Sequence, residues 1–219
     1  MIAETLISDI IVPLRTSDTG EYALELMNEF IVRHLPVVND KELLGVLSED
    51  DILNFDPKQA VGSYALSLPC PMVKNTDHYY EIIKMMANHN LTCVPVVNDE
   101  SEYIGMITME DLVIRFANSL PFSEPGAIIV LEMSKRDYSL AELSRIVESE
   151  NAVVLSAFVG THIDSTKIDV TLKINRQNAL SIMAGFERFG YIIKASYAET
   201  EYFDILKDRY DSLISYLNV

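Results

Sequence analysis

An internal repeat constrains this 219-residue chain more than any other feature. His34-Leu35-Pro36-Val37-Val38-Asn39-Asp40 returns 59 positions later as Cys93-Val94-Pro95-Val96-Val97-Asn98-Asp99. Beyond it, Leu44-Gly45-Val46-Leu47-Ser48-Glu49-Asp50-Asp51-Ile52 returns as Ile104-Gly105-Met106-Ile107-Thr108-Met109-Glu110-Asp111-Leu112, now 60 positions on. One residue inserted in the intervening turn accounts for the change of offset. Upstream, Ser17-Asp18 matches Thr76-Asp77, and each pair precedes a helical pattern. That pattern is Ala23, Leu24 and Met27 in one copy and Ile82, Ile83 and Met86 in the other.

Each copy reads as strand, helix, strand, turn, strand, helix. Pro36-Val37-Val38 and Leu44-Gly45-Val46-Leu47 are short β-branched and apolar runs separated by a polar turn, which predicts a hairpin. A unit of about 55 residues with one apolar face cannot bury that face alone, whereas two stacked about a pseudo-twofold axis can.

The second half follows a different order. Two prolines within residues 121–125 mark a linker. Ala127-Ile128-Ile129-Val130-Leu131 predicts a buried strand. Ser139-Leu140-Ala141-Glu142 is a capping box opening a helix with Leu140, Leu143, Ile146 and Val147 on one face. Val153, Leu155, Ala157 and Val159 alternate with other residues, as do Ile168, Val170, Leu172 and Ile174. A second helix through Leu180, Ile182, Met183 and Phe186 stops at Gly190, suited to a left-handed C-cap, and Tyr191-Ile192-Ile193 begins a last strand. The order βαββαβ predicts a ferredoxin-like sandwich with two helices on one face of one sheet. In the final stretch, Phe203, Leu206, Tyr210, Leu213 and Leu217 fall at 3-4-3-4 spacing, which predicts an added helix packed on the chain's own domain.

Charge excludes whole classes of partner. The net charge is −16: residues 1–120 carry 19 acids against 7 bases, and residues 121–219 carry 14 against 10. Such a surface repels nucleic acid and anionic lipid, both of which need clustered Lys and Arg. No apolar run approaches the roughly 20 residues that span a bilayer, and Glu4, Asp9 and Pro13 interrupt the start where a signal peptide would need a basic leader and an apolar run. Cys70 and Cys93 form no disulfide framework or metal spacing, and both sit among apolar neighbours as small buried hydrophobes. A cytoplasmic protein is expected. No phosphate-loop, nucleophile-elbow, HExxH or Cys/His metal pattern occurs, and His34, His78, His89 and His162 are scattered over unrelated elements, so an enzyme is not expected.

Ser48-Glu49-Asp50-Asp51 and Thr108-Met109-Glu110-Asp111 each end a strand and open a helix. Both are good helix caps, with an acid at the third position. The same geometry suits a ligand: a carboxylate can accept from both ribose hydroxyls, while a hydroxyl and the N–H groups of a helix start can hold a phosphate. An adenine would need an apolar slot, for which Val37, Val38, Val96 and Val97 are candidates, although equally good core residues. A phosphate would need a cation, and Arg33, His34, His89 and Lys74 are the few available.

In the Pro-Val-Val hairpin, the glycine and the Ser/Thr-x-x-Asp element, in order and in duplicate, the first half resembles the CBS-domain family. That resemblance implies two stacked repeats with clefts between them, and Ser48 with Asp51 in one cleft and Thr108 with Asp111 in the other as adenosine-ligand residues. Val37, Val96, Arg33 and His34 complete the expected set. AMP, ADP, ATP or S-adenosylmethionine is the expected regulatory ligand, and no cofactor is required. The second half resembles an ACT domain, a small regulatory fold that often pairs across a dimer and binds amino acids. ACT domains that bind amino acids carry a glycine in the loop into their first helix. Here that loop is Ser134-Lys135-Arg136-Asp137-Tyr138, without one, so dimerisation is the expected role. With Arg33-His34-Leu35-Pro36-Val37-Val38 and Ser139-Leu140-Ala141-Glu142, the whole order resembles the bacterial acetoin-utilisation accessory proteins. The expected organisation is an α+β chain with CBS repeats at 1–58 and 59–120, an ACT-like domain at 126–198 and a C-terminal helix at 199–219. It is a homodimeric regulator, or alternatively a ligand-free adaptor for a metabolic enzyme, with a partner protein still to be identified.

Overall fold

The two copies fold alike, down to single hydrogen bonds. The computed structural model describes residues 1–8, 10–64, 70–161 and 166–198. His162 and the helix expected over 199–219 lie outside these. In the first copy, β1 (Leu14–Arg15) lies parallel to β2 (His34–Asn39), which pairs antiparallel with β3 (Glu42–Ser48). In the second, β4 (Val73–Lys74), β5 (Cys93–Val97) and β6 (Tyr103–Thr108) make the same sheet, with Leu14 opposite Val37 matched by Val73 opposite Val96. Both hairpins carry an irregularity at the same place, Val37/Val38 and Val96/Val97. Asp18 accepts from the backbone N–H of Arg15 at 2.7 Å, and Asp77 accepts from that of Lys74 at 2.8 Å. These short polar turns aim α1 (Gly20–Glu29) and α3 (Tyr79–His89) back across their sheets. The inserted residue sits where the change of offset placed it, in the second hairpin turn, where Glu102 N–H reaches the Asn98 side chain at 2.8 Å.

The repeats are not self-contained. Ala3 and Leu6 are buried in the core of the second copy with Val73, Ile82, Met86, Val94 and Ile107. Ala3 N–H donates to the Asp77 carbonyl and Ser8 N–H to that of Met106. Val61 and Tyr64 belong to the first core, with Leu14, Ala23, Met27, Leu35 and Ile52. Val61 N–H donates to Asp18 and Gly62 N–H to Thr16. Each copy is therefore completed by the segment that precedes the other copy's helix. Gly105 records this closeness: its φ is +155°, and a Cβ there would run into the Ile7 side chain. Ile83 does not share the buried face with Ile82 and Met86; it stands exposed. Cys70 is only half-buried, whereas Cys93 is fully buried with its thiol pushed up to about 12 by desolvation.

The chain divides into two units, Met1–Asn118 and Ser119–Val219. In the second, β7 (Ala127–Ser134), β8 (Val154–Thr161), β9 (Lys167–Ile174) and β10 (Ile192–Ala198) form an antiparallel sheet in the order β10-β7-β9-β8. Ala127, Ile129, Leu131 and Met133 on β7 and Ile168, Val170, Leu172 and Ile174 on β9 are buried with Leu143, Ile146 and Val147 of α5 (Leu140–Ser149) and Ile182 and Phe186 of α6 (Leu180–Arg188). This is the ferredoxin-like βαββαβ arrangement. Gly190 takes φ +82°, the left-handed conformation its position after α6 demands. Four expected core positions are not core. Leu140 and Leu180 are each the first residue of a helix, and both are exposed. Val153 precedes β8 and is exposed, and Val159 lies in the exposed second half of this edge strand, beyond Val154 and Ala157, which pack against the core.

Candidate functional site

The two hydroxyl–carboxylate elements fold as helix caps. Ser48 ends β3 and caps α2 (Glu49–Leu53): its hydroxyl accepts from Asp51 N–H at 3.1 Å and donates to Asp51 Oδ2 at 2.7 Å. The same oxygen accepts from Ser48 N–H at 2.9 Å, which closes a capping box. Thr108 repeats this at the start of α4 (Met109–Ser119), accepting from Asp111 N–H at 3.0 Å and donating to Asp111 Oδ2 at 2.8 Å. Ser48, Asp51 and Thr108 are buried, and Asp111 is half-buried. Polar groups withdrawn from water this far need such bonds, so capping accounts for their burial in both copies.

Beside the first cap lies a hollow of about 260 Å³, lined by Arg33, His34, Ser48, Glu49, Asp50, His89 and Asn90. The first five come from β2, the residue before it, and the β3–α2 junction. His89 and Asn90 come from the end of α3 in the other repeat. The fold thus brings Arg33, His34 and Ser48 together as expected and adds His89. Asp51 does not line this hollow; it stands behind Ser48 and fixes its rotamer.

A polar seam between the repeats holds this arrangement. Arg33 N–H donates to Thr92 Oγ1 at 2.9 Å, and His34 Nδ1 accepts from Thr92 N–H at 3.2 Å with Thr92 Oγ1 3.0 Å away. Cys93 Sγ donates to the His34 carbonyl at 2.9 Å. With Nδ1 accepting a backbone N–H, the neutral ring carries its proton on Nε2. Burial first, and then the Arg33 charge, hold the His34 pKa below its ordinary value. At the far end of the seam, Tyr103 N–H donates to the Lys41 carbonyl and Lys41 pairs with Glu102 at 3.3 Å.

Val37 and Val96 are elsewhere. They are 2% and 0% exposed, inside the first and second cores, and neither lines the hollow. A strand that runs down the centre of a small unit presents its β-branched residues to the core, and the adenine slot expected of them is not where they stand. The sequence reading passed over Asn90 and Thr92. The 59-residue offset held a signal for Thr92, because it pairs Arg33-His34 with Thr92-Cys93, and equivalent residues of stacked repeats meet near the axis that relates them.

The described residues hold no group of three or more His, Cys, Asp or Glu able to bind a metal ion, and no helix among them is long and apolar enough to cross a membrane. Paired repeats, a hollow at their junction and a hydroxyl–carboxylate cap on each make the first unit a module of tandem repeats. The CBS domain family matches residues 3–58 and again 61–118, and the chain belongs to that family.

Among curated relatives, the chain is similar to inosine-5'-monophosphate dehydrogenase from Methanocaldococcus jannaschii, 26% identical over 113 residues, covering 51% of this chain and 23% of that protein. It thus spans about a quarter of that enzyme's length. Among solved structures it is similar to a CBS domain pair/ACT domain protein from Thermotoga maritima (21% identity, 55% of this chain, 99% of that chain, TM-score 0.49). A protein assigned to acetoin utilization from Vibrio cholerae is also similar (25% identity, 57% and 96%, TM-score 0.48). So is CBSX2 in complex with AMP (22% identity, 54% and 97%, TM-score 0.46).

Proposed function

We propose that the repeat pair is a regulatory module that holds an adenine nucleotide or another adenosyl ligand at the hollow beside Ser48. The observation that carries this is the convergence of Arg33, His34 and Ser48 from one repeat with His89 from the other around that hollow. Arg33 supplies a fixed positive charge, and the neutral His34 ring has an Nε2–H donor. Pockets for whole drug-sized ligands run to roughly 300–1,000 Å³. A space of about 260 Å³ suits the phosphate and ribose end, with the base lying toward the open side. Because its walls come from both repeats, a bound ligand reports on how the repeats sit against each other. We infer that this is relayed to the ferredoxin-like unit, which acts as an ACT-like dimerising domain in a cytoplasmic homodimer, and that the chain regulates rather than catalyses.

A second reading, an adaptor without a ligand, is favoured by the internal pairing of Ser48 with Asp51 and of Thr108 with Asp111. Isothermal calorimetry with AMP, ADP, ATP and S-adenosylmethionine separates the two. The sensing reading expects saturable binding of at least one of these and a raised Tm. Silence from all four, in protein shown to be folded, leaves the adaptor.

A further inference from the structure

The two repeats have equivalent backbones, so each residue lining the hollow at Ser48 has a counterpart around Thr108 with which it can be compared. Glu49 N–H donates to the Arg33 carbonyl in one repeat, and Met109 N–H to the Thr92 carbonyl in the other. His34 opposes Ser48 across the first hairpin, and Cys93 opposes Thr108 across the second. At the helix ends, Val32 N–H donates to Met27 and Leu91 N–H to Met86, which matches Phe30 and Ile31 with His89 and Asn90.

Apart from the capping hydroxyl, every cationic or donor side chain around the first hollow is replaced at its counterpart. Arg33 becomes Thr92, His34 becomes the buried Cys93, and His89 becomes Phe30. Asn90 becomes Ile31, and Glu49 becomes Met109, while the remaining acid, Asp50, is kept as Glu110. The exchange at Ile31 comes with strain. Ile31 and Asn90 share the left-handed conformation, φ +54° and +52°. Asn tolerates that conformation, whereas a β-branched residue there is an outlier. Ile31 is nevertheless 84% exposed, so no packing in the described unit accounts for it.

We propose that the clefts are unequal by chemistry: the one at Ser48 takes a ligand's phosphate, and its counterpart at Thr108 takes none, being fit at most for an uncharged nucleoside-like group. This rests on the ligand reading above and gives it a stoichiometry of one phosphorylated ligand per chain. A phosphate at Thr108 would face Glu110 with no cation among the counterpart positions. At Ser48 the exposed Glu49 and Asp50 are offset by Arg33, with His34 and His89 as further donors. The capping hydroxyl and carboxylate are common to both repeats and do not discriminate; the flanking residues do.

Calorimetry on the full chain, titrated in parallel with AMP and with adenosine, tests this. AMP is expected to bind one per chain. Arg33→Gln is expected to weaken AMP tenfold or more, about 1.4 kcal/mol, while changing adenosine binding less than threefold. Met109→Lys, which places a cation on the exposed rim of the second cleft, is expected to raise AMP stoichiometry toward two. Two AMP per wild-type chain, or equal weakening of AMP and adenosine by Arg33→Gln, overturns the inequality while leaving the ligand reading intact. Binding of neither compound by folded protein removes both.

Discussion

The two units close their cores in different ways. The ferredoxin-like unit buries a continuous stretch of chain, with β7, α5, β9 and α6 contributing to one core between Ala127 and Phe186. The repeat pair buries discontinuous pieces: Ala3 and Leu6 complete the second repeat, and Val61 and Tyr64 complete the first. A core assembled from neighbours in sequence can be read from periodicity alone. A core assembled by exchange ties the two repeats into one body.

Substitutions at matched depth sharpen this contrast. Phe186, fully buried, is among the largest core side chains of the second unit. Phe186→Ala is expected to cost about 3–5 kcal/mol, with hydrogen exchange accelerated first at β7 and β9. Leu6 is 2% exposed. Leu6→Ala is expected to cost about 2–5 kcal/mol, and the amides that lose protection should be those of α3, β5 and β6, more than 70 residues away in sequence. If the lost protection stayed near the N-terminus, the exchanged-segment account of the repeat pair would be wrong.

The caps come next in size. Ser48→Ala and Thr108→Ala each remove a hydroxyl that accepts a helix N–H and donates to a buried or half-buried carboxylate, and each is expected to lower stability by about 0.5–2 kcal/mol. Ser48→Ala should also weaken AMP, whereas Thr108→Ala should not. Equal effects on AMP would restore equivalence to the clefts. Ile31→Asn gives the first repeat the residue the second already uses at the same φ, and is expected to raise the Tm by a degree or more, read by calorimetric scanning.

Much of this architecture was legible. Duplicate Pro-Val-Val hairpins and matched Asp18 and Asp77 turns carry both repeats, and alternation along β7 and β9 carries the second sheet. Ser48 and Thr108 were legible as caps because capping is local. What stayed hidden is non-local. Nothing around Leu6 says that it packs against Ile82, and nothing near His89 says that it faces Arg33. Val37 and Val96 show the converse: their type fits a core or a ligand slot equally, and only the topology, with each strand central in its sheet, decides for the core. Leu140 and Leu180 show that periodicity marks a face but not how much of that face is covered.

The smallest effect concerns the seam itself. His34 is held neutral by burial and by Arg33, so its folded pKa lies below the unfolded value near 6.5. As pH falls through about 6.5, the unfolded chain takes up a proton that the folded chain does not. Stability therefore declines on acidification from that point until the lowered folded pKa is reached, below which this loss is complete. His34→Asn keeps an acceptor within reach of Thr92 N–H but has no proton to take up. Stability measured by urea unfolding between pH 7.5 and 5 should fall more steeply for the native protein than for His34→Asn, the two differing least at pH 7.5. Parallel curves would mean that the His34 pKa is the same in the folded and unfolded chains, and that burial and Arg33 do not lower it.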